Sequence, residues 1–290
     1  MKTLRLGEFT IERVLDMEGP TFEPKFLLPG LSPETLAANR GWLEPRFIEP
    51  ASGKLVLSYH SFVVRTPRHT ILIDTCIGND KERGHAFFNR RQGPYLQNLA
   101  ALGLAPEDVD IVCCTHLHVD HVGWNTRLVD GRWVPTFPNA KYLFARDEYS
   151  HWEAKKKAAP HALLNHGAYE DSVLPVVAAG QAVLVAADHA VEDGIVLEPM
   201  PGHTPGCVAI NFASGGERAV CAGDAIIHAL QVADPSLSSS YCEDPEMSRV
   251  TRRRLIERIA DTPTRLLPAH FPDPVVGRVA RAGNGFRFVA

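Results

Sequence analysis

Apolar and polar positions change rhythm several times along this 290-residue chain. The first sixty residues, with Pro20, Pro24, Pro29, Pro33, Pro45 and Pro50, show no sustained period and read as an irregular arm over about residues 1–57, either a loop packed over the core or an arm that covers a site or a partner subunit. From Ser58 the pattern becomes strand-like. Ser61–Arg65 and Thr70–Asp74 are β-branched runs on either side of Thr66-Pro67-Arg68-His69 and predict a hairpin. Leu96, Leu99 and Leu102 share one face of a helix over Pro94–Leu102 that stops at Gly103. Val109–Thr115 reads as a buried strand, Lys141–Ala145 as another, and Arg146–Ala158 as a helix. Residues 159–180 carry no clean period and read as an insertion beside a pocket. Further strands are expected at Ala182–Ala186, Gly194–Met200, Cys207–Phe212, Arg218–Ala222 and Thr264–Leu267. Asp244-Pro245-Glu246 is a helix start running to about Ala260, with Arg252, Arg253 and Arg254 expected on its solvated face. Two groups of strands with helices between and after them suit an α/β fold of two sheets with helices outside, in a single domain.

Composition narrows the function without naming it. Apolar residues are 45 %, charged residues 22 % and the net charge is −4, the make-up of a globular protein without a basic surface for nucleic acid. No apolar run is long enough to span a membrane, and Met1–Glu8 lacks a signal-peptide core, so the expectation is a cytoplasmic protein with its six cysteines reduced. None of the cysteines forms a C-x-x-C pair. Histidine carries the information, with thirteen in the chain and several clustered.

The strongest cluster is Thr115-His116-Leu117-His118-Val119-Asp120-His121-Val122-Gly123, directly after a predicted strand. Imidazoles and a carboxylate at this density are ligands for zinc or a neighbouring divalent metal. Three more ligand-type residues stand where a predicted strand gives way to a turn. They are His203 in Pro201-Gly202-His203-Thr204-Pro205-Gly206, Asp224 after Ala222-Gly223, and His270 after Pro268-Ala269.

His116-x-His118-x-Asp120-His121, His203, Asp224 and His270 resemble the motifs of the metallo-β-lactamase-fold hydrolases of dinuclear type, in order and over about Phe62–His270. The resemblance implies an αβ/βα four-layer sandwich with two central mixed β-sheets and metals at one edge. It implies that His116, His118 and His203 bind one ion, that Asp120, His121 and His270 bind the second, and that Asp224 bridges them. Asp74, ending Thr70-Ile71-Leu72-Ile73-Asp74, matches the aspartate that supports a ligand histidine from behind. Five imidazoles and two carboxylates are too many for one four-coordinate ion and suit two divalent ions per chain, zinc first, with manganese, cobalt or iron as alternatives. A bridging hydroxide would attack an ester-like bond, with Asp120 as the catalytic group that orients it and passes a proton to the leaving group.

Within the family the chain is most similar to the acyl-homoserine lactonase and organophosphate-hydrolase-like group, on the full ligand set, on Trp124-Asn125-Thr126 and on overall size. Glyoxalase II-like thioesterases share the ligands, and mono-iron persulfide dioxygenases use a subset of them. The lactonases carry a tyrosine three residues after the bridging aspartate; here that position is Ile227, followed by His228. Trp124 and His228 are the candidates for touching substrate, with Tyr142, Phe144, Tyr149 and Trp152 as further aromatic neighbours. No pair of basic residues stands out as an anion clamp, so the expected partner is a neutral or apolar small molecule, with no nucleic acid and no membrane. The resembled group also suggests a homodimer.

Overall fold

The computed structural model describes residues 3–283 and 285–290. The chain separates into two compact units, one made of residues up to 17 together with 59–187, the other of 18–58 together with 188–290.

The first unit is built on a seven-stranded mixed sheet in the order β1-β2-β3-β4-β5-β8-β9. Its strands are β1 (Leu4–Leu6), β2 (Phe9–Phe22), β3 (Leu55–Arg65), β4 (Thr70–Ile73), β5 (Ile111–Cys113), β8 (Lys141–Ala145) and β9 (Ala182–Val185). β6 (Thr126–Val129) and β7 (Arg132–Pro135) form a separate hairpin. β3 and β4 pair antiparallel, whereas β4, β5, β8 and β9 are parallel. The central parallel strands are continuous apolar runs because both of their faces are covered. Tyr142 and Phe144 are fully buried there as core residues. The β4–β5 register aligns Ile73 with Cys113, which brings Asp74 and Thr115 to the same sheet end. The helix Arg146–Ala158 has Asp147 and Glu148 in its first turn and three lysines in its last, matching the helix dipole.

The second unit holds a five-stranded sheet, β10 (Ala190–Glu192), β11 (Ile195–Pro199), β12 (Val208–Ser214), β13 (Glu217–Cys221) and β14 (Arg265–Leu267), and a terminal hairpin, β15 (Arg278–Ala282) with β16 (Gly285–Val289). β13 and β14 are parallel, with Cys221 opposite Leu267, so the turns that follow them carry Asp224 and His270 off one sheet edge. In the helix Pro245–Ile259 the Asp244 side chain accepts from Met247 N, the capping geometry the sequence predicts.

Two sequence expectations need correction here. The N-terminal stretch is not irregular, because β1 and β2 form a hairpin and residues Pro24–Leu27 and Pro33–Leu43 are helices. Pro24 and Pro33 occupy first helical positions, where a missing N–H costs nothing, so they start elements instead of breaking them. Arg252 is not on a solvated face; it is completely buried, while Arg253 and Arg254 are exposed. Residues 159–180, aperiodic in sequence, are mostly short helical turns, including a five-residue π-helix at Tyr169–Val173. Among the described residues, no helix is long and apolar enough to cross a membrane.

Candidate metal centre

In the first unit, the loop after β5 carries His116, His118, Asp120 and His121. Ligand atoms of His116 and His118, of His116 and His121, and of Asp120 and His121 lie within 4.8 Å of each other. The backbone that holds them is tightly specified. Asp74 and Cys76 adopt positive φ of 55° and 52°, a strained turn of the kind that persists where surrounding structure enforces it. Thr75 N donates to His121 O at 2.7 Å and Gly123 N to Cys76 O at 2.7 Å, tying that turn to the ligand loop. A Cβ on Gly123 would stand 1.9 Å from Ile77 O, so no other residue fits there without moving backbone.

Asp74 is buried at the end of β4 and gathers three hydrogen bonds. Its Oδ2 accepts from His121 Nδ1 at 2.8 Å, and its two oxygens also accept from Thr115 N and Thr115 Oγ1 at 2.7 and 2.8 Å. Because the Thr115 hydroxyl proton goes to Asp74, its oxygen is left to accept from His116 Nδ1 at 3.2 Å. Both histidines are therefore held by Nδ1–H, which leaves Nε2 as the ligand atom.

In the second unit, Asp224 receives two histidines. His203 Nε2 lies 3.2 Å from Oδ2 and His270 Nε2 lies 3.0 Å from Oδ1. His270 Nδ1 donates to Ser58 O at 3.1 Å, and His203 Nδ1 stands 3.6 Å from Cys242 Sγ. Burial alone would push the His203 imidazole down, but the Asp224 carboxylate outweighs it and raises the value to about 10. The buried carboxylate thus demands a cation between itself and His203, and a proton or a metal ion can meet that demand. The donor set fits divalent metals of the zinc class, since it combines imidazole Nε2 atoms fixed from behind with carboxylates.

Some braces escape sequence reading. Glu148, buried in the first turn of its helix, accepts from Leu117 N at 3.0 Å and from Trp152 Nε1 at 2.8 Å. Asn165, from the aperiodic segment, accepts from Val119 N at 3.2 Å and donates to Leu117 O at 2.6 Å. Acidic first-turn residues are ordinary in helices, and an asparagine in an irregular stretch carries no local signal.

Neither candidate for touching substrate behaves as expected. Trp124 is buried and stacked on Tyr95, with ring centroids 5.3 Å apart and an interplanar angle of 15°. His228 is fully buried and caps the helix Ala229–Ala233, accepting from Leu230 N at 3.2 Å through Nδ1 and donating to Phe47 O at 2.9 Å through Nε2. Burial pushes its imidazole down to about 4, so it is a neutral structural cap. Trp152, also buried, has its ring edge-on to His118 at 5.8 Å.

The family model of the metallo-beta-lactamase superfamily matches residues 56–270. The chain belongs to the metallo-β-lactamase superfamily. As a member it is a metal-dependent hydrolase in type, with the mixed α/β fold of that family. Among solved structures it is similar to the hydrolase AbOPH of the beta lactamase superfamily, at 25 % identity and a TM-score of 0.81 over 99 % of this chain and 96 % of that one. It also shares its fold with AidC, described as a dizinc quorum-quenching lactonase, at 21 % identity and a TM-score of 0.78 over 99 % and 96 % of the two chains. A probable metal-dependent hydrolase from Staphylococcus aureus has the same fold at 19 % identity and a TM-score of 0.75 over 99 % and 98 %. Comparison with curated proteins finds no match.

Proposed function

We propose that the two half-sets together hold two divalent ions and that the protein hydrolyses a neutral ester-like bond, in a lactone, an aryl ester or a phosphotriester. In this reading His116, His118 and His203 hold one ion, Asp120, His121 and His270 hold the other, and Asp224 serves both. The observation that carries it is the outer shell: His116, His121 and His270 each donate Nδ1–H to a fixed acceptor, which presets Nε2 for a cation. Further support comes from each half-set taken by itself: ligand atoms of His116 and His118, and of Asp120 and His121, lie within 4.8 Å of each other, and His203 and His270 both reach Asp224. AidC, a dizinc lactonase by description, has the same fold.

When bound, the two ions supply an acidified water as nucleophile and a Lewis acid for the scissile carbonyl or phosphoryl oxygen. The protein's own residues set the geometry. Asp74 and Thr115 keep His121 and His116 in one tautomer. In this reading Asp120, partly exposed and 3.9 Å from His121 Nε2, takes a proton on its carboxylate and delivers it to the leaving oxygen. Position 227 is a buried isoleucine, so no tyrosine assists a lactone carbonyl from there. That favours breadth among esters over a dedicated lactonase.

The test is metal analysis followed by a substrate panel of acyl-homoserine lactones, simple lactones, aryl esters, a phosphotriester, a thioester and a cephalosporin. About two ions per chain are expected, with turnover led by the oxygen esters and abolished in His203→Ala and Asp224→Ala. A metal-free protein that added zinc, manganese or cobalt does not activate would overturn the reading. A profile led by the thioester would reassign it to a glyoxalase II-like activity. One iron with oxygen consumption on a persulfide would reassign it to oxidation.

A further inference from the structure

His203 differs from the other anchored histidines in what stands behind it. The Thr115 hydroxyl oxygen, a carboxylate and a backbone carbonyl support His116, His121 and His270, whereas the neighbour of His203 Nδ1 is the sulfur of Cys242, at 3.6 Å. That sulfur is itself held. Cys242 Sγ donates to Ser248 Oγ at 3.4 Å, and the same oxygen accepts from Arg252 Nη1 at 3.2 Å. Ser248 and Arg252 lie one turn apart on the helix Pro245–Ile259, on its buried face. Arg252, fully buried, also donates to Ala225 O at 3.1 Å, Pro235 O at 3.0 Å and Ser238 Oγ at 3.3 Å, all neutral oxygens. Ala225 directly follows Asp224.

The backbone around this chain is equally constrained. Glu243 N donates to His203 O at 3.0 Å and Asp244 N to Gly202 O at 2.9 Å. Gly202, at φ +128°, lies so close to the helix start that a Cβ would fall 2.2 Å from Ser248 N. The His203 turn and the 242–248 segment are therefore tied together by backbone contacts.

We propose that Cys242 is the positioning residue of His203. Its sulfur accepts the Nδ1 proton, Ser248 and Arg252 hold the sulfur in place, and Nε2 is thereby offered to the cation shared with Asp224. This rests on the dinuclear reading above for its metal-binding consequence, but not for the imidazole–sulfur contact. The arrangement is orienting, not covalent, and no bond is made or broken. A thiol is a weaker acceptor than a carboxylate, so a serine should replace it and an alanine should not.

The experiment compares wild type, Cys242→Ala and Cys242→Ser. Nitrogen-15 spectra of the imidazoles, with His203 assigned through His203→Gln, read whether Nδ1 carries a slowly exchanging proton. Cobalt titration against a competing chelator reads ion affinity, and saturating cobalt separates kcat from affinity. Wild type and Cys242→Ser should keep the protected Nδ1 proton. Cys242→Ala should lose it, bind one of the two ions about 10–100-fold more weakly, and recover kcat at saturating metal. Thermal melting of Cys242→Ser controls for folding. Equal exchange and equal ion affinity in wild type and Cys242→Ala would overturn the proposal, as would an unprotonated Nδ1 in the wild type. A wild type that keeps the protected proton yet takes up no cobalt would overturn the dinuclear reading while leaving the anchoring of His203 intact.

Discussion

His228→Asn separates capping from titration. Asparagine is a good N-cap and keeps an acceptor for Leu230 N, but it carries no proton that pH can change. In the wild type, the buried ring sits at about 4 against an ordinary 6.5. Between those two values the unfolded chain binds a proton that the folded chain refuses. The stability from His228 is therefore complete above pH 6.5 and lost as pH falls toward 4. At ~1.36 kcal/mol per unit the full window is worth ~3 kcal/mol, and a drop from pH 7.5 to pH 5 removes about 2 kcal/mol of it. At pH 7.5 the variant should be less stable by about 1–3 kcal/mol, because Phe47 O loses the donor now 2.9 Å away. At pH 5 that difference should shrink by about 2 kcal/mol. Urea unfolding of both proteins at the two pH values measures this, and groups common to both cancel. Parallel stability–pH curves would refute the reasoning and mean that His228 is protonated in the folded state.

Other outcomes follow from the same geometry. Asp74→Ala removes the acceptor of both His121 Nδ1 and Thr115 and should weaken ion binding about 10–100-fold by chelator competition, with Asp74→Asn intermediate. Gly123→Ala drives a methyl to 1.9 Å from Ile77 O, so the ligand loop must shift; thermal melting should fall and ion uptake with it. Arg252→Met leaves the oxygens of Ala225, Pro235 and Ser238 without their donor and should cost about 2–5 kcal/mol in denaturant unfolding, whereas Arg253→Met should cost under about 0.5 kcal/mol. Glu148→Gln, at the carboxylate that accepts from Leu117 N, should lower hydrolysis with little change in melting.

The parts of this molecule legible in its sequence are those where residue type and position carry the same message. The 116–121 run follows β-branched residues with four ligand-capable side chains, and Asp74 closes the Ile-Leu-Ile run at the position the family resemblance singles out. The helices at 146–158 and 245–259 announce themselves by charge placement and by the Asp244-Pro245 cap. What stayed hidden is set by tertiary context. Arg252 reads as one of three arginines, although its spacing from Ser248, Leu255 and Ile256 puts it on the buried stripe. Trp124 and His228 stand next to ligands in sequence, but their rings turn into the core, against Tyr95 and Phe47. The strand Phe9–Phe22 escapes the sequence reading because Gly19-Pro20 interrupts its far end and the adjacent Glu12-Arg13 and Val14-Leu15 break the apolar–polar alternation.

The varied backing of the histidines has one more consequence. An imidazole whose far nitrogen leans on the Asp74 carboxylate gains imidazolate character and becomes a stronger base than one leaning on a thiol. Two cations seated in such a pocket would be held unequally. The one on the sulfur-backed ring should exchange first in a pulse of chelator, so a mixed-metal enzyme could be prepared by replacing one partner and leaving the other in place.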